Sequence, residues 1–313
     1  MLSIKKMINS PLSTKNHVKL IESLSVANMI DEWQNHYNIN ISSEFKGISE
    51  IHLYECCDSK LRFFVPFGLT GSGRFYEQLQ KFYWYYRNDK WEYDAAWQDL
   101  EFCTKILEVG CGTGYFLNRL KQRGKYDIYG LELNPEAVAI GQKQGLPILL
   151  KTLDQFVDEQ DHSFDAICAF QLLEHLADIQ DFLADTLKLL RPGGKLILSV
   201  PNSQSFLRFA KDDLLNMPPH HLTQWNQAAL SYLCKLFPMK VAKIIPEPLA
   251  MYHVDFYVST FLTRFKKYPR LIYSPLFCLM HQVIKPLLKK SDYLRRQIIG
   301  HTLYACFEKI DQQ

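Results

Sequence analysis

Three glycines at every second position follow a short apolar run, residues 106–109, that contains the acidic residue Glu108. A glycine lacks a Cβ atom, so its backbone turns tightly and can approach a ligand closely. Residues 115–121 then place apolar side chains at helical spacing. A buried strand, a glycine turn and a helix in this order indicate a nucleotide-like cofactor site at the carboxyl end of the strand. The glycines are Gly110, Gly112 and Gly114.

The spacing resembles motif I of class I S-adenosylmethionine (SAM) methyltransferases, E/D-x-G-x-G-x-G, whereas dinucleotide enzymes place the third glycine one residue later. SAM has no pyrophosphate, so it does not need a helix N-terminus aimed at a diphosphate. The resemblance implies that Glu108 lies near the methionine end of the cofactor. It also implies that Gly110, Cys111 and Gly112 line the cofactor with backbone, and Gly114 completes the turn. An ordinary glycine-rich turn is the alternative.

Further cofactor contacts follow from the same resemblance. Glu132 ends the second predicted strand, where an acidic side chain accepts hydrogen bonds from a ribose diol. Leu133 comes directly after it, Asp154 is implied to lie against the adenine amino group, and Gln171 leaves the fourth strand beside the cofactor.

Five predicted strands occur in the order and at the spacing of this family. This pattern favours a cofactor site over an ordinary glycine-rich turn. We therefore expect an α/β, Rossmann-like sheet of seven strands in the order 3-2-1-4-5-7-6, with strand 7 antiparallel. Residues 1–98 are expected to form an N-terminal accessory and lid region, and residues 99–313 the methyltransferase domain. Strand six at 239–246 and strand seven at 300–309 enclose an insertion at 246–298.

The accessory region is predicted to begin with polar helix and to continue with a hairpin at 51–66. Cys56 and Cys57 are adjacent, and structural zinc prefers four ligands, so no metal is expected. Aromatic residues crowd positions 75–97. Tyr85, Tyr86 and Trp91 are candidates for the cofactor, since an aromatic face attracts a sulfonium as it attracts an ammonium. Packing of the lid on the core is the alternative.

Two adjacent histidines, His220 and His221, follow Pro218-Pro219. The element resembles P-P-H-H-x-x-x-W of UbiG-like small-molecule methyltransferases, in which the histidines lie at the substrate mouth. Either histidine is a candidate general base, because imidazole accepts a proton near neutral pH. Glu174, His175 and Trp225 are candidate substrate residues. A structural role of the histidines is the alternative, and a metal-assisted role would need carboxylates that the sequence does not place.

Composition narrows the class of protein. Of 313 residues, 47% are hydrophobic and 22% charged, as in a soluble globular protein. The eight cysteines show no disulfide framework, no signal peptide is evident, and no uninterrupted apolar run reaches about 20 residues. A cytoplasmic location without a transmembrane span is therefore expected.

Positive charge is concentrated near the C-terminal end. Residues 264–296 hold nine Lys or Arg and one acidic residue, a net charge of +8, whereas the whole chain carries +3 and the remainder therefore −5. Apolar residues recur there at helical spacing, which favours peripheral contact with a membrane surface, at the inner membrane, or an anionic substrate. A solvated helix over the substrate pocket is the alternative. No specific nucleic-acid partner is expected, and the oligomeric state stays open.

These patterns predict a SAM-dependent methyltransferase that acts on a small-molecule or glycan acceptor, with a hydroxyl favoured. An RNA or protein methyltransferase is one alternative, although 170–173 reads Phe-Gln-Leu-Leu and not N/D-P-P-Y/F. A non-catalytic SAM-binding protein is the other, and the intact Glu108, Gly110, Gly112 and Glu132 oppose it.

Overall fold

The structure is a computed structural model that describes residues 8–13, 15–85, 87–125, 127–158 and 163–311. The strands are β1 (Val18–Ser25), β2 (Glu50–Cys56), β3 (Arg62–Val65), β4 (Ile106–Val109), β5 (Ile128–Glu132), β6 (Ile148–Leu150), β7 (Phe164–Phe170), β8 (Leu190–Pro201), β9 (Thr223–Gln224), β10 (Met239–Pro248) and β11 (Ile299–Lys309). The α-helices are α1 (Val26–Tyr37), α2 (Gly73–Leu79), α3 (Trp91–Asp99), α4 (Tyr115–Gln122), α5 (Pro135–Lys143), α6 (Leu153–Val157), α7 (Ile179–Leu189), α8 (Gln227–Tyr232), α9 (Val254–Thr263), α10 (Arg270–Leu279), α11 (Lys285–Lys290) and α12 (Asp292–Arg296).

The main sheet has seven strands in the order β10-β11-β8-β7-β4-β5-β6. The five central and outer strands β4 to β8 pair in parallel, and β11 is antiparallel to both of its neighbours, β8 and β10. Numbered from β4, this is the predicted order 3-2-1-4-5-7-6 with the seventh strand reversed. The fold class is therefore confirmed.

Strand β4 lies inside this sheet, between β7 and β5, and all four of its residues are buried. Leu107 and Val109 face a core shared with α6, α7 and α8, while Ile106 faces a second core formed with α3, α4 and α5. A parallel strand covered by helices on both faces requires apolar residues throughout. Glu108 is the exception, and its carboxylate belongs to the cavity described below.

A second, four-stranded sheet has the order β1-β2-β3-β9. The predicted hairpin at 51–66 is confirmed as β2 and β3. The prediction of helix at the beginning of the region is wrong for β1, because residues 18–25 pair antiparallel with β2 and only then continue into α1. Ser25 ends the strand and caps that helix by accepting a hydrogen bond from the Asn28 amide.

The short strand β9 connects the segment after β8 to the four-stranded sheet. Its residues Thr223 and Gln224 pair with Phe63 and Arg62 of β3, so a segment after β8 completes the N-terminal sheet. Helix α8 begins at Gln227, because Asn226 is the N-cap and its side chain accepts a hydrogen bond from the Ala229 amide. The proposed division of the chain at residue 98 stays a prediction.

The predicted insertion between the sixth and seventh strands is helical. It contains α9, α10, α11 and α12, and a π-helical turn, Met280–Ile284, joins α10 to α11. Buried side chains of α9 (Val254, Val258 and Leu262) form a separate small core with Met280 and Leu288.

Substitution of Gly114 can test how tightly the glycine turn is packed. It has a φ of +79°, and a Cβ atom there would lie 2.6 Å from Ile148 Cδ1 and 2.7 Å from Leu146 Cδ1. Gly124 has a similar φ of +83°, but a Cβ atom there would have no atom of the described residues within 4 Å. Both alanine substitutions cost about 1–2 kcal/mol of backbone strain, and Gly114→Ala adds about 1–3 kcal/mol of overpacking. Urea unfolding should therefore rank Gly114→Ala clearly below Gly124→Ala, and equal losses would contradict the packing argument.

Candidate active site

A cavity of about 280 Å³ opens at the carboxyl ends of β4 and β7. Four parts of the chain line it: the segment before α3 with the first turn of that helix, the ends of the central strands, the loop between β8 and β9, and the insertion with the start of β11. Ligands bind at this edge of open α/β sheets, where the strand order reverses. The lining residues include Trp84, Tyr85, Arg87, Lys90, Glu92, Tyr93, Glu108, Gly110, Cys111, Gly112, Gln171, Glu174, His175, His220, His221, Tyr252, His253 and His301.

The glycine turn is held open by a hydrogen-bonded carboxylate. Gly110 and Gly112 have φ values of 73° and 54°, a region that residues with a Cβ atom rarely adopt. Glu132 accepts a hydrogen bond from the Gly112 amide at 2.8 Å, and its other oxygen accepts from the amides of Leu133 and Asn134 at 2.7 and 2.8 Å. Glu132 therefore positions the turn from the neighbouring strand. Its predicted ribose contact stays a prediction.

Five of the proposed cofactor residues that the structure describes do not line the cavity: Gly114, Glu132, Leu133, Asp154 and Trp91. Gly114 is buried and packs against side chains at the start of β6. Leu133 is exposed directly after β5, and Asp154 is exposed in the first turn of α6. Their predicted cofactor contacts stay predictions.

Glu108 lies in the cavity without a partner. The residue is 2% exposed, and its Oε2 atom has no hydrogen-bond donor. Burial raises the pKa of this carboxyl well above its ordinary value, and the nearby Lys90 ammonium opposes that shift. An unpaired buried acceptor in a cavity indicates a binding position for a polar or cationic group of a ligand.

The aromatic segment divides between cavity and core. Tyr85 lines the cavity, with its ring centroid 5.9 Å from that of His220. Trp91 does not line it, because its indole packs edge-on against Tyr304 in the core. Tyr86 lies outside the described residues. The predicted aromatic contact is thus retained for Tyr85 and corrected for Trp91.

Sequence reasoning missed several charged or polar groups of the cavity. The Arg87 guanidinium lies 3.6 Å above the Tyr252 ring, and its buried Nε has no hydrogen-bond partner in the part of the chain that the structure describes. Basic residues at 87 and 90 within an aromatic stretch were a usable signal. His253 and His301 were not recognisable, because each comes from a distant segment and shows no local motif.

Three imidazoles meet at one side of the cavity: His175, His220 and His221. The His220 and His221 rings are stacked with centroids 4.3 Å apart, and the His175 ring is nearly perpendicular at 4.7 Å from each. In each ring Nδ1 faces an oxygen. His175 Nδ1 lies 2.6 Å from His220 O, and His220 Nδ1 lies 2.8 Å from Leu215 O. His221 Nδ1 lies 3.4 Å from Asn216 Oδ1. A carbonyl oxygen only accepts, so Nδ1 of His175 and His220 carries the proton and Nε2 keeps its lone pair.

The environment keeps these imidazoles neutral. Burial lowers the pKa of His175 to about 4, and burial with the neighbouring His175 lowers the pKa of His220 to about 3. Burial and the two other histidines lower the pKa of His221 well below its ordinary value. The Nε2 atom of His220 is buried and has no hydrogen-bond partner among the described residues, so it is an available proton acceptor.

Backbone hydrogen bonds from two elements fix the histidine pair. The Gly71 amide donates to Pro219 O at 2.8 Å, and the Phe64 amide donates to Leu222 O at 3.1 Å. On the other side the Leu222 amide donates to Glu174 O at 2.8 Å. The N-terminal sheet and the exit of β7 therefore hold His220 and His221 from opposite directions.

Glu174 is a second unpaired acid of the cavity. It is 1% exposed, and no described residue forms a hydrogen bond with either of its carboxylate oxygens. Burial raises its pKa to about 8. Gln171, before it, adopts a left-handed φ of 53° and directs its side chain toward Glu92 and Ser199. Both predicted residues reach the cavity.

Trp225 is not a substrate residue. Its side chain is fully buried in the core against α7 and α8, and its Nε1 donates to Thr223 Oγ1 at 2.9 Å. The predicted role is corrected, because the pairing of β9 with β3 turns this side chain inward. Among the described residues, His175, His220 and His221 each place a ring nitrogen within 4.8 Å of the others, a grouping that could hold a metal ion. The expectation of no metal stays a prediction.

The fold and the glycine turn define a class I, SAM-dependent methyltransferase. A family model described as "Methyltransferase domain" matches residues 51–241. This match covers more than half of the chain, which therefore belongs to the methyltransferase-domain family. The predicted enzyme class and its cofactor, S-adenosyl-L-methionine, are confirmed.

Individual relatives are more distant. The chain is 26% identical over 133 residues to a ubiquinone biosynthesis O-methyltransferase of Alkalilimnicola ehrlichii, across 39% of this chain and 53% of that protein. It is 32% identical over 104 residues to one of Xanthomonas oryzae pv. oryzae, across 31% and 43%. The chain thus spans about half the length of the curated relatives it matches. A solved coclaurine N-methyltransferase with N-methylheliamine and SAH is similar at 11% identity and a TM-score of 0.47, covering 69% of this chain and 71% of that one.

The cavity residues fit this cofactor. SAM carries a sulfonium, an ammonium and a carboxylate, and the cavity offers unpaired groups of both charges. The Glu108 carboxylate would hold a cationic or hydroxyl group, and the Arg87 guanidinium with Lys90 would hold a carboxylate. The Tyr85 ring supplies an aromatic face beside them.

The buried Glu174 carboxyl gives a test of this electrostatic arrangement in the ligand-free protein. Its pKa is about 8 in the folded state and near 4.5 when unfolded, so between these values the folded state holds a proton that the unfolded state lacks. Stability therefore falls as pH rises from about 4.5 to 8. Glu174→Gln removes that slope and is more stable above pH 8 by several kcal/mol, at about 1.4 kcal/mol per pKa unit.

Denaturant unfolding between pH 5 and 8.5 measures this difference, with exposed Glu77→Gln as the matched control. Parallel stability curves for the wild type and Glu174→Gln would show that Glu174 ionises freely in the fold.

Proposed function

We propose that the protein transfers the methyl group of SAM to a hydroxyl of a small-molecule or glycan acceptor, with His220 as the general base. The observation that carries this proposal is the unpaired, buried Nε2 of His220 in the same cavity as the glycine turn. A proton acceptor beside the cofactor residues is what O-methylation requires of the protein.

SAM, when bound, supplies an electrophilic methyl group on a positively charged sulfur. His220 Nε2 would take up the proton that the acceptor hydroxyl releases as its oxygen gains the methyl group and the carbon–sulfur bond of SAM breaks. The cavity walls hold the acceptor in line and exclude water. His175 and His221 pack around the His220 ring and fix its orientation.

A pKa of about 3 suits His220 for this task. The imidazole is neutral at any physiological pH, so its lone pair is available before the reaction. As the hydroxyl oxygen takes the methyl group, its remaining proton becomes strongly acidic, and a weak base then suffices. The hydrogen bond from Nδ1 to Leu215 O keeps the lone pair on Nε2.

The lining supports a polar acceptor with several hydroxyls. Glu92, Glu174 and His253 bring hydrogen-bonding groups, while Trp84 and Tyr252 offer flat apolar faces. Sugars and hydroxylated rings combine these two features. The matched relatives are named O-methyltransferases, which supports oxygen as the acceptor atom.

A labelled-methyl transfer assay against sugars, quinols and lipid-linked glycans tests the proposal. His220→Ala should lower the rate by about 10²–10⁴-fold, the usual contribution of a general base, while calorimetry shows SAM binding close to that of the wild type. His281→Ala, outside the cavity, is the matched control. The assay is repeated with a chelator, which should not change the rate. A His220→Ala, His221→Ala double variant that binds SAM and transfers methyl at full rate would refute the base assignment.

The pH profile distinguishes His220 from Glu174 as the base. With His220, whose pKa is about 3, the rate should stay level from pH 8 down to pH 6. With Glu174, whose pKa is about 8, the rate would fall about tenfold for each pH unit below 8 as the carboxylate takes up a proton. Single-turnover rates across this range decide between the two, and a tenfold fall per unit would transfer the role to Glu174.

A further inference from the structure

The insertion holds a helix that is unusually exposed for its composition. Helix α10, the π-helical turn and α11 form one continuous helix, Arg270–Lys290. It is long and apolar enough to cross a membrane, yet only 11% of its apolar segment is buried in the protein. Apolar side chains exposed along a whole helix are unfavourable in water and indicate an interaction surface.

One face of this helix is already occupied by the protein. Met280 and Leu288 are buried against α9, and Tyr273, Leu276 and Ile284 pack beside them. Lys285 and Lys289 form ion pairs with Asp255 of α9 at 2.5 and 2.7 Å. A helix fastened along its length to a folded domain cannot at the same time cross a bilayer, so it can only lie on a surface.

The other face presents apolar residues to solvent. Ile272, Leu279, Val283 and Leu287 are all exposed and recur at intervals of seven, four and four, so they form one stripe. Leu271 is 89% exposed beside them. Exposed tyrosines stand near both ends, at 268 and 293, and tyrosine is enriched where membrane meets water.

The charge around this stripe has one sign. Residues 256–291 contain seven Lys or Arg and no acidic residue. Lys266 and Lys267 are exposed in the loop that leads into the helix, and Arg270 and Lys290 are exposed at its two ends. Basic side chains at both ends of an apolar stripe match the headgroups and acyl region of an anionic lipid layer.

We propose that residues 264–290 dock on an anionic membrane surface, with the stripe of α10 and α11 immersed in the headgroup region. A second copy of the chain fits less well, because two such faces would bring like charges together. Nucleic acid would leave the apolar stripe uncovered. The turn before α9 supplies Tyr252 and His253 to the cavity, so docking places the catalytic cavity close to the lipid layer.

Flotation of the purified full-length chain with vesicles tests this surface. Wild type should float with phosphatidylcholine vesicles that contain phosphatidylglycerol, and stay behind with pure phosphatidylcholine. Lys266→Glu with Lys267→Glu should weaken the anionic binding at least about tenfold, since each basic residue near such a surface is worth about 1 kcal/mol. Added salt should weaken the wild type similarly.

A triple variant, Ile272→Ser, Leu279→Ser, Val283→Ser, should lose binding while its thermal unfolding stays close to that of the wild type. Leu20→Ser, an exposed leucine on β1, is the matched control and should bind normally. Wild type that ignores anionic vesicles, or a triple variant that binds as well as wild type, would overturn the proposal. Concentration-dependent dimers that the triple variant abolishes would assign the surface to a second copy instead. None of these readouts depends on methyl transfer.

Discussion

The burial of polar groups without partners around one cavity is the constraint on which the rest of the structure depends. Glu108, Glu174 and His220 each leave a polar atom buried and unpaired. Such groups destabilise a fold by about 1–3 kcal/mol each when no ligand satisfies them. The remainder of the protein must therefore be stable enough to hold them in place, and a bound cofactor and acceptor would relieve the penalty.

The scaffold meets this demand with two sheets. Helices pack on both faces of the seven-stranded sheet. The glycine turn follows its strand β4, and Glu132 of the neighbouring strand accepts a hydrogen bond from the Gly112 amide of this turn. The four-stranded sheet extends to β9 and so holds the histidine pair from the other side. A cavity between two rigid elements keeps its polar atoms apart from one another, and this keeps them available to a ligand.

The insertion links this cavity to a different environment. Its small core fastens one face of the long helix to the domain, and the turn before α9 reaches the cavity through Tyr252 and His253. The exposed, positively charged face of the long helix and the cavity residues Tyr252 and His253 therefore belong to one structural unit. In the proposed docking, an enzyme of this architecture could take an acceptor from a lipid surface without exposing the reacting atoms to water.

The sequence by itself determined the sheet, its strand order and the cofactor, because apolar runs, the Gly110–Gly114 spacing and the acidic residues at 108 and 132 are local patterns. Only the tertiary structure decided which side chains meet. Trp225 proved to be a core residue, and Trp91 packs against the core. Strand β1 formed through its pairing with β2, and His253 and His301 line the cavity from segments without a motif. Side-chain direction and burial depend on long-range pairing such as that of β3 with β9, and no local pattern encodes it.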